Sequence, residues 1–386
     1  MKIGILTFHS QQNYGGVLQC FAMKAALESL GHEVVVIDRW LNPERRQLLG
    51  VLSGSWIFVL RYLIAVLRRR QPLAPLIRAV RSIQFVKGLG VTPYHFVDWK
   101  DAPQDLGVDC LVVGSDQVWH CGDFGDPTAY LLEGADGKVP RAISYAASFG
   151  LKEIPAEFRE LYGRGLKRFA AISCREKEGV ELCRGLGYEA THVVDPTLLA
   201  DSSCWNKLIK TNHHSSLITH TSSLRAQTRT LVCYFMSVNL AEALSHLEAF
   251  AESQKCRVEV IVDRPFVGIQ HKSSRVKIVA SYGPKEFVRA FASATWTLSD
   301  SFHAVMFSTI FNTNLRFIRP QSEMRRAMFA RIEEFAEKCI TGPVFVDSVK
   351  AALDSFARGE AIEYNWTEIE ARRMASAEWL KTALDK

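Results

Sequence analysis

The sequence predicts an α/β protein of two β/α domains whose strand ends face a shared cleft. Three observations support this. Short apolar runs that end in polar residues alternate with amphipathic helical stretches. The alternation breaks from Thr211 to Thr230, where TNHHSSLITHTSSLRAQTRT is rich in Ser, Thr and His and reads as a linker. Beyond Thr230 the alternation restarts, and 386 residues are enough for two cores. The expected domains are residues 1–215 and 216–360, followed by a C-terminal helix over 361–386.

The elements follow in order. KIGILTF reads as a buried first strand, HSQQNYGG as a polar loop, VLQCFAMKAALESLG as a helix ended by Gly31, and HEVVVIDRW as a second strand. Such a β-α-β unit crosses over right-handed into a parallel sheet. CLVVGSD, AISYAAS, FAAISCRE and HVVDP are further strands of the first domain. After the linker come strand TLVCYFM, helix NLAEALSHLEAFAESQ, and strands RVEVIVD and RVKIVA. Helix PKEFVRAFASA, strand TWTLSD, the helix opened by SFHAVMFSTIF and strand NLRFI complete the second domain. The chain ends on the helix TEIEARRMASAEWLKTALDK.

A hydrophobic fraction of 48% and a charged fraction of 23% belong to an ordinary soluble protein. The nine cysteines contain no CxxC pair, and several sit inside predicted strands, which points to reduced, buried thiols in a cytoplasmic protein and away from zinc. The start, MKIGILTFHS, is too short an apolar run for a signal peptide. Charge is uneven: ten basic residues stand against Glu44 alone between Arg39 and Lys87. This basic, apolar segment 45–87 surrounds VLSGSWIFVLRYLIAVLRRR at 51–70, shorter in its apolar run than the roughly 20 residues that span a bilayer. An in-plane helix with arginines on anionic headgroups suits it, so peripheral contact with the inner face of the cytoplasmic membrane is expected. Nucleic acid is not, because aromatic residues do not interleave with the charges beyond this block.

Ligands of parallel sheets bind at the carboxyl ends of the strands, which makes those endings the candidate site. The HSQQNYGG loop lacks GxGxxG, so a dinucleotide is not favoured; Gly15 and Gly16 let a ligand approach the helix N-terminus beside His9, Asn13, Tyr14 and Gln19. In VGSDQVWH, Ser115, Asp116, Gln117 and Trp119 cluster at a strand end, where a carboxylate can act as base on a sugar hydroxyl and an indole can stack on a sugar face. Arg175 can grip a carboxylate or phosphate bidentately, or serve a structural ion pair with Glu176 or Glu178. In SDSFHAVMFS, Asp300 or Ser301 can cap a helix whose N-terminus attracts an anion, and His303 is either a proton donor or a core histidine.

Taken together, TFHSQQNYGGVLQCFAMKAALESLGHEVVVID, VVGSDQVW, ISYAASFG, ISCREKEG, VVDPTLL, YGPKEFV and SDSFHAVMFS resemble the polysaccharide pyruvyl transferase family, in its order, from residue 3 to about residue 318. The resemblance implies a GT-B-like fold of two Rossmann-like domains, an acceptor side in the first and a donor side in the second. It implies phosphoenolpyruvate as co-substrate, with no metal or redox cofactor, and a glycan or lipid-linked sugar acceptor that becomes a cyclic ketal. On this resemblance His303 falls on the family's donor-site histidine, within a motif that includes Ser301, Phe302 and Ser308. His9, Asn13, Tyr14 and Gly15 fall on its N-terminal loop, Asp116 on its second motif, and Tyr282 and Gly283 on YGPKEFV. The implied catalytic set is His303, Asp116 and His9.

The chemistry agrees with that set. Protonating the methylene carbon of the enol makes the neighbouring carbon electrophilic, which requires an acid such as histidine close to the donor. The two anionic groups of the donor need cations or helix N-termini. Two departures from the family stand out: Ala304 where many relatives have glycine, and Ser301 where one branch has arginine. The donor cation must then come from elsewhere, with Arg175, Arg264 and Lys285 as candidates. The alternative enzyme is a GT-B glycosyltransferase with a nucleotide-sugar donor, and the alternative class is a non-catalytic scaffold of a polysaccharide machine.

Overall fold

The computed structural model describes residues 1–9, 13–39, 73–121, 126–210, 229–263, 273–320 and 323–385. The expected linker core 211–228, the apolar basic segment 51–70 and Arg264 lie outside these residues. The chain divides into two compact units, Met1–Ala200 with Thr367–Lys386, and Asp201–Trp366.

The first unit is built on a parallel sheet in the order β3-β2-β1-β4-β5, with β1 (Lys2–Leu6), β2 (Glu33–Arg39), β3 (Val91–Phe96), β4 (Cys110–Val113) and β5 (Ala142–Ser144). Two short parallel strands, β6 (Ser173–Cys174) and β7 (Thr191–His192), continue beyond β5 through the bridges Ile143–Ala171 and Ala147–Cys174. Helix α1 (Tyr14–Ser29) connects β1 to β2, and α2 (Ala74–Lys87) precedes β3. The helices α3 (Arg159–Leu166), α4 (Lys177–Gly185) and α5 (Pro196–Leu199) follow. Strands β1 and β4 are buried along nearly their whole length, as apolar runs in a parallel sheet covered on both faces must be.

Contacts place the first boundary at Ala200/Asp201 rather than at 215/216, so that α6 (Ser202–Lys210) belongs to the second unit. Trp205 of α6 is fully buried against Phe307, and Arg289 donates to the Ile209 carbonyl, which ties the helix there. The C-terminal helix is not a separate body. Its residues from Thr367 pack on the first unit, burying Leu380, Ala383 and Leu384. The Arg141 guanidinium donates to the Ala383 and Leu384 carbonyls, and the Ser376 hydroxyl accepts the Val194 N–H.

The second unit carries a six-stranded parallel sheet in the order β10-β9-β8-β11-β12-β14. Its strands are β8 (Thr230–Tyr234), β9 (Arg257–Ile261), β10 (Val276–Val279), β11 (Trp296–Ser299), β12 (Asn314–Ile318) and β14 (Phe345–Val346). The short β13 (Ile340–Thr341) pairs antiparallel with β15 (Glu363–Tyr364). The helices are α7 (Leu240–Ser253), α8 (Pro284–Ala292), α9 (Phe302–Ile310), α10 (Glu323–Cys339) and α11 (Val349–Ala357), before the terminal α12 (Trp366–Asp385). Helix α9 is apolar all round, and Phe302 to Thr309 are all buried, as such a sequence requires. Phe287 and Phe291 of α8 and Trp205 of α6 meet Phe307 of α9. Both sheets are doubly wound, with the strand order reversing beside β1 and β4 in the first unit and beside β8 and β11 in the second. Those reversals open the crevices in which such sheets hold ligands. Among the described residues no helix is long and apolar enough to cross a membrane.

Candidate functional site

At the reversal point of the first unit, the chain leaving β1 runs through Thr7, Phe8 and His9, and the chain leaving β4 through Gly114, Ser115 and Asp116. Gln19 of α1 locks the two together. Its amide nitrogen donates to Thr7 Oγ1 at 2.8 Å and to the Gly16 carbonyl at 2.8 Å, and its Oε1 accepts the Ser115 N–H at 3.2 Å. The Thr7 hydroxyl in turn donates to the Ser115 carbonyl at 2.8 Å. The sequence marks Gln19 only as a neighbour of the N-terminal loop, because a glutamine inside a helical apolar run carries no motif.

Helix α1 begins earlier than the sequence suggests, so Gly15 and Gly16 are in its first turn and not in a loop. Asn13 is the N-cap, its Oδ1 accepting the Gly15 N–H at 2.9 Å. A Cβ at Gly16 would stand 3.3 Å from the Phe8 carbonyl oxygen and 3.5 Å from Asp116 Oδ2, so glycine is what lets α1 come against the carboxylate. Tyr14 is buried in the core and does not present its hydroxyl as a surface group. Within α1, burial pushes the Cys20 thiol up to about 12, with Lys24 only partly offsetting it, so this cysteine is no nucleophile.

Asp116 adopts a left-handed backbone with φ 72°, a conformation aspartate tolerates better than most residues. Its Oδ1 accepts the Gln117 N–H at 2.9 Å and lies 3.5 Å from Arg175 Nη2, while Oδ2 faces Gly16. Gly114, two residues earlier, has φ 105°, and a Cβ there would meet the Tyr145 carbonyl oxygen at 2.5 Å. Gly114→Ala is therefore expected to cost at least about 1–3 kcal/mol and to displace Asp116. A lowered melting temperature together with lost activity is the check, and a variant as stable and active as the parent counts against this geometry.

Arg175 is not a ligand-gripping cation. Its Nη1 donates to Asp195 Oδ2 at 3.0 Å, its side chain is 2% exposed, and it stands between two carboxylates, Asp195 and Asp116. Burial disfavours its charge, but Asp116, Asp195 and Glu176 more than offset this and hold the guanidinium above its ordinary value. Glu176, the expected structural partner, instead accepts the Phe149 N–H at 2.9 Å. Asp195 also accepts the Ser115 hydroxyl at 3.1 Å and the Thr197 N–H and hydroxyl at 3.0 and 2.7 Å. Ser115 is thereby a buried strut and not a substrate contact. Trp119 is likewise core. Its indole N–H donates to the Tyr130 carbonyl, and its ring meets Phe149 at 5.2 Å and Phe169 at 5.5 Å, with no face left for a sugar. Gln117, half-buried, points its amide toward Gly150.

His9 is buried with Nδ1 3.1 Å from the Thr7 carbonyl and Nε2 3.1 Å from Asp38 Oδ1. A carbonyl oxygen only accepts, so the contact with Thr7 is a hydrogen bond in the tautomer that carries its N–H at Nδ1.

In the second unit, the reversal point is bridged by Asp300. Rather than capping α9, its carboxylate accepts the Met236 N–H at 2.6 Å and the Ser237 N–H at 2.7 Å, holding the chain after β8 against the chain after β11. Ser301 occupies the N-cap position of α9 without a side-chain cap bond, its own N–H donating to Ser299 Oγ at 3.1 Å. His303 follows in the first turn, 8% exposed, its ring edge-on to Phe302 at 5.2 Å between centroids. Ser308 is fully buried further along α9, away from this turn. At the end of β10, the Tyr282 hydroxyl donates to Glu259 Oε2 at 2.8 Å, and Gly283 caps α8, whose N-terminus lies at the same sheet edge as that of α9. Arg331 of α10 places its guanidinium carbon 4.8 Å from the Phe302 ring centre. Only its basic character marked it, in a helix with several arginines and no motif.

A profile of the polysaccharide pyruvyl transferase family matches residues 13–322. This span includes Asn13 to Gly16, Ser115 to Trp119, Arg175, Tyr282, Gly283 and Ser301 to Ser308, and excludes His9 and Arg331. No curated protein matches the chain by sequence. Among solved structures, the UDP-GlcNAc 2-epimerase of Neisseria meningitidis bound to UDP-GlcNAc is similar over 100% of this chain and 99% of its own, with a TM-score of 0.52 at 10% identity. The S. aureus MnaA–UDP structure is similar over 92% of this chain and 87% of its own, with a TM-score of 0.51 at 12% identity. At such identities the likeness is one of fold, and that fold is GT-B-like α/β with parallel sheets, as the sequence predicts.

Proposed function

The chain belongs to the polysaccharide pyruvyl transferase family, and from that premise we propose that it moves the pyruvyl group of phosphoenolpyruvate onto two hydroxyls of one sugar in a polysaccharide precursor. The observation that carries this reading is His303, a proton-bearing side chain in the first turn of α9, at the carboxyl end of β11. A helix N-terminus stabilises an anion, and the donor brings a phosphate and a carboxylate. His303 delivers a proton to the methylene carbon, which becomes a methyl group and leaves its neighbour electron-poor. One sugar hydroxyl attacks that carbon and gives up its proton, and the carbon–oxygen bond to phosphate breaks. The second hydroxyl then adds and loses its proton, closing the cyclic ketal. Protons balance: one enters the methyl group, and two leave the hydroxyls, one of them ending on phosphate or solvent.

Asp116 is the first unit's own candidate proton acceptor. Its Oδ1 is held by the Gln117 N–H, and its Oδ2 points to the first turn of α1. In Asp116→Asn the amide cannot accept a proton, and kcat is expected to fall by about 10²–10⁴-fold. His9 and Asp38 form a second polar pair in the same unit, in which His9 orients the chain after β1.

The direct test incubates the protein with phosphoenolpyruvate and a panel of lipid-linked and aryl glycosides. Phosphate release matched by a ketal product supports the proposal. Consumption of a nucleotide sugar without turnover of phosphoenolpyruvate would replace it with glycosyl transfer. Adding vesicles of anionic lipid to the same assay tests the peripheral membrane contact expected of the basic segment: sedimentation with the vesicles that salt reverses supports it, and none at low salt counts against it.

A further inference from the structure

The second unit holds an open cavity of about 450 Å³ that neither His303 nor Asp116 lines. Its volume is in the range of small-molecule pockets. It lies at the carboxyl edge of the sheet, between the ends of β8, β12 and β14 and the N-terminal halves of α7 and α11, which pack on each other. The crossovers β8–α7–β9 and β11–α9–β12 run in opposite directions across the sheet, so right-handed connections put α7 and α9 on opposite faces. The cavity is thus separate from the turn that carries His303, yet tied to it. Ser237, in the cavity wall, donates its N–H at 2.7 Å, and also its hydroxyl, to Asp300, three residues before His303.

The lining has two kinds of surface. Ala243, Ile318 and Val349 are buried and form an apolar floor. Two donor–acceptor pairs stand exposed around it. Asn239 Nδ2 donates to Glu242 Oε1 at 2.6 Å on α7, and Arg319 Nη1, after β12, donates to Asp347 Oδ1 at 3.2 Å, after β14. Each carboxylate is oriented through one oxygen, and its second oxygen can accept from a ligand hydroxyl. Glu242 and Asp347 balance Arg319 and Lys350, so apart from His246 the charges in the lining cancel and gather no phosphate. A neutral sugar ring fits such a site, with its C–H face on the aliphatic floor and its hydroxyl edge on the carboxylates and their N–H partners.

We infer that this cavity is a secondary glycan subsite, holding a neutral sugar residue of the polysaccharide precursor other than the one that receives the pyruvyl group. This rests on the acceptor half of the reading above and is independent of the donor. A polymer offers neighbouring sugars, and a second foothold on the sheet edge that carries His303 raises the effective concentration of the reacting one.

The test is calorimetric titration of the full chain, without phosphoenolpyruvate, with neutral methyl mono- and disaccharides of the common hexoses and N-acetylhexosamines. The parent is expected to bind at least one of them. Val238→Trp fills the cavity from its half-buried wall and is expected to weaken that binding at least about tenfold. Glu242→Gln and Asp347→Asn replace an accepting oxygen by an amide on exposed side chains, and each is expected to weaken it about 3- to 10-fold. These two keep the inference testable if Val238→Trp does not fold. Equal binding by the parent and the variants overturns the inference, as does a parent that binds none of the glycosides. A loss confined to Val238→Trp overturns the carboxylate contacts. Displacement of the glycoside by inorganic phosphate or by UDP overturns the neutral sugar, and marks an anion or nucleotide site instead. Turnover of phosphoenolpyruvate is scored separately. A parent that transfers pyruvyl while its variants bind glycosides unchanged loses only this subsite. Glycoside binding that falls in the variants of a protein that never consumes phosphoenolpyruvate keeps the subsite and overturns the pyruvyl-donor reading.

Discussion

His303→Ala is expected to reduce kcat by about 10²–10⁴-fold, equivalent to roughly 3–5 kcal/mol of transition-state stabilisation, while the fold survives. The size follows from the reaction. Carbon is a poor proton acceptor, so protonation of the enol is the demanding step, and water in place of a positioned acid leaves most of that barrier. The fold should survive because alanine is the best helix former and His303 sits in a first turn with residual exposure. His303→Asn probes the same point differently, since it keeps a polar side chain with an N–H donor but has no acidic proton to transfer. Both variants should bind phosphoenolpyruvate within a few-fold of the parent and should fail to turn it over. Turnover in D2O adds a readout that no structural role can mimic: the parent should place one deuterium in the ketal methyl group. A His303→Ala variant that keeps a tenth of the parent kcat, or a product methyl free of deuterium, would remove His303 from the acid role. Full activity loss with an unchanged melting temperature would also count against the scaffold alternative.

Much of this site is written in local sequence, and the parts that are not have physical reasons. The strands of both sheets read clearly where they are short, wholly apolar and followed by a polar turn, as in β1, β4, β11 and β12, because parallel strands buried on both faces allow no polar interruption. The edge strand β3 does not read that way. VTPYHF is half exposed and contains Pro93, which a sheet edge accepts and a central strand does not. The ends of strands identified Asp116 and His303 by position, but position says nothing of burial. Trp119 and Arg175 show the consequence. An indole and a guanidinium beside a candidate base suggest a sugar platform and an anion clamp, yet each is absorbed by long-range neighbours: Phe149 and Phe169 for Trp119, Asp195 for Arg175. Arg331 illustrates the converse. It meets Phe302, in another helix and across an intervening strand, and no window of sequence joins the two.

Arg175→Met is expected to destabilise the first unit by about 3–5 kcal/mol, the cost of breaking a buried ion pair by removing one side of it. The cost is set by what stays behind. Asp195 is fully buried at its side chain, and Asp116 nearly so, at 0% and 12% exposed. With Arg175 gone, two carboxylates lie near one another, and the remaining donors to Asp195 include the Ser115 hydroxyl and the Thr197 N–H and hydroxyl. Those neutral bonds are each worth less than the charged one they must replace. Arg175→Lys restores charge but not the fork that spans two acceptors, so it should recover only part of the loss. The double variant Arg175→Met/Asp195→Asn is the decisive comparison. If the cost arises from an uncompensated buried charge, neutralising Asp195 returns stability toward the parent despite a second deleted group, and the two substitutions are strongly non-additive. Hydrogen exchange at β4 and β5 reports on this unit by itself, where a melting curve of the whole chain mixes two units. Unchanged exchange in Arg175→Met, or a double variant whose loss equals the sum of the singles, would show that Arg175 packs against these carboxylates without holding them. Otherwise Asp116 owes its fixed position at the strand end to a cation that the sequence alone assigns to substrate.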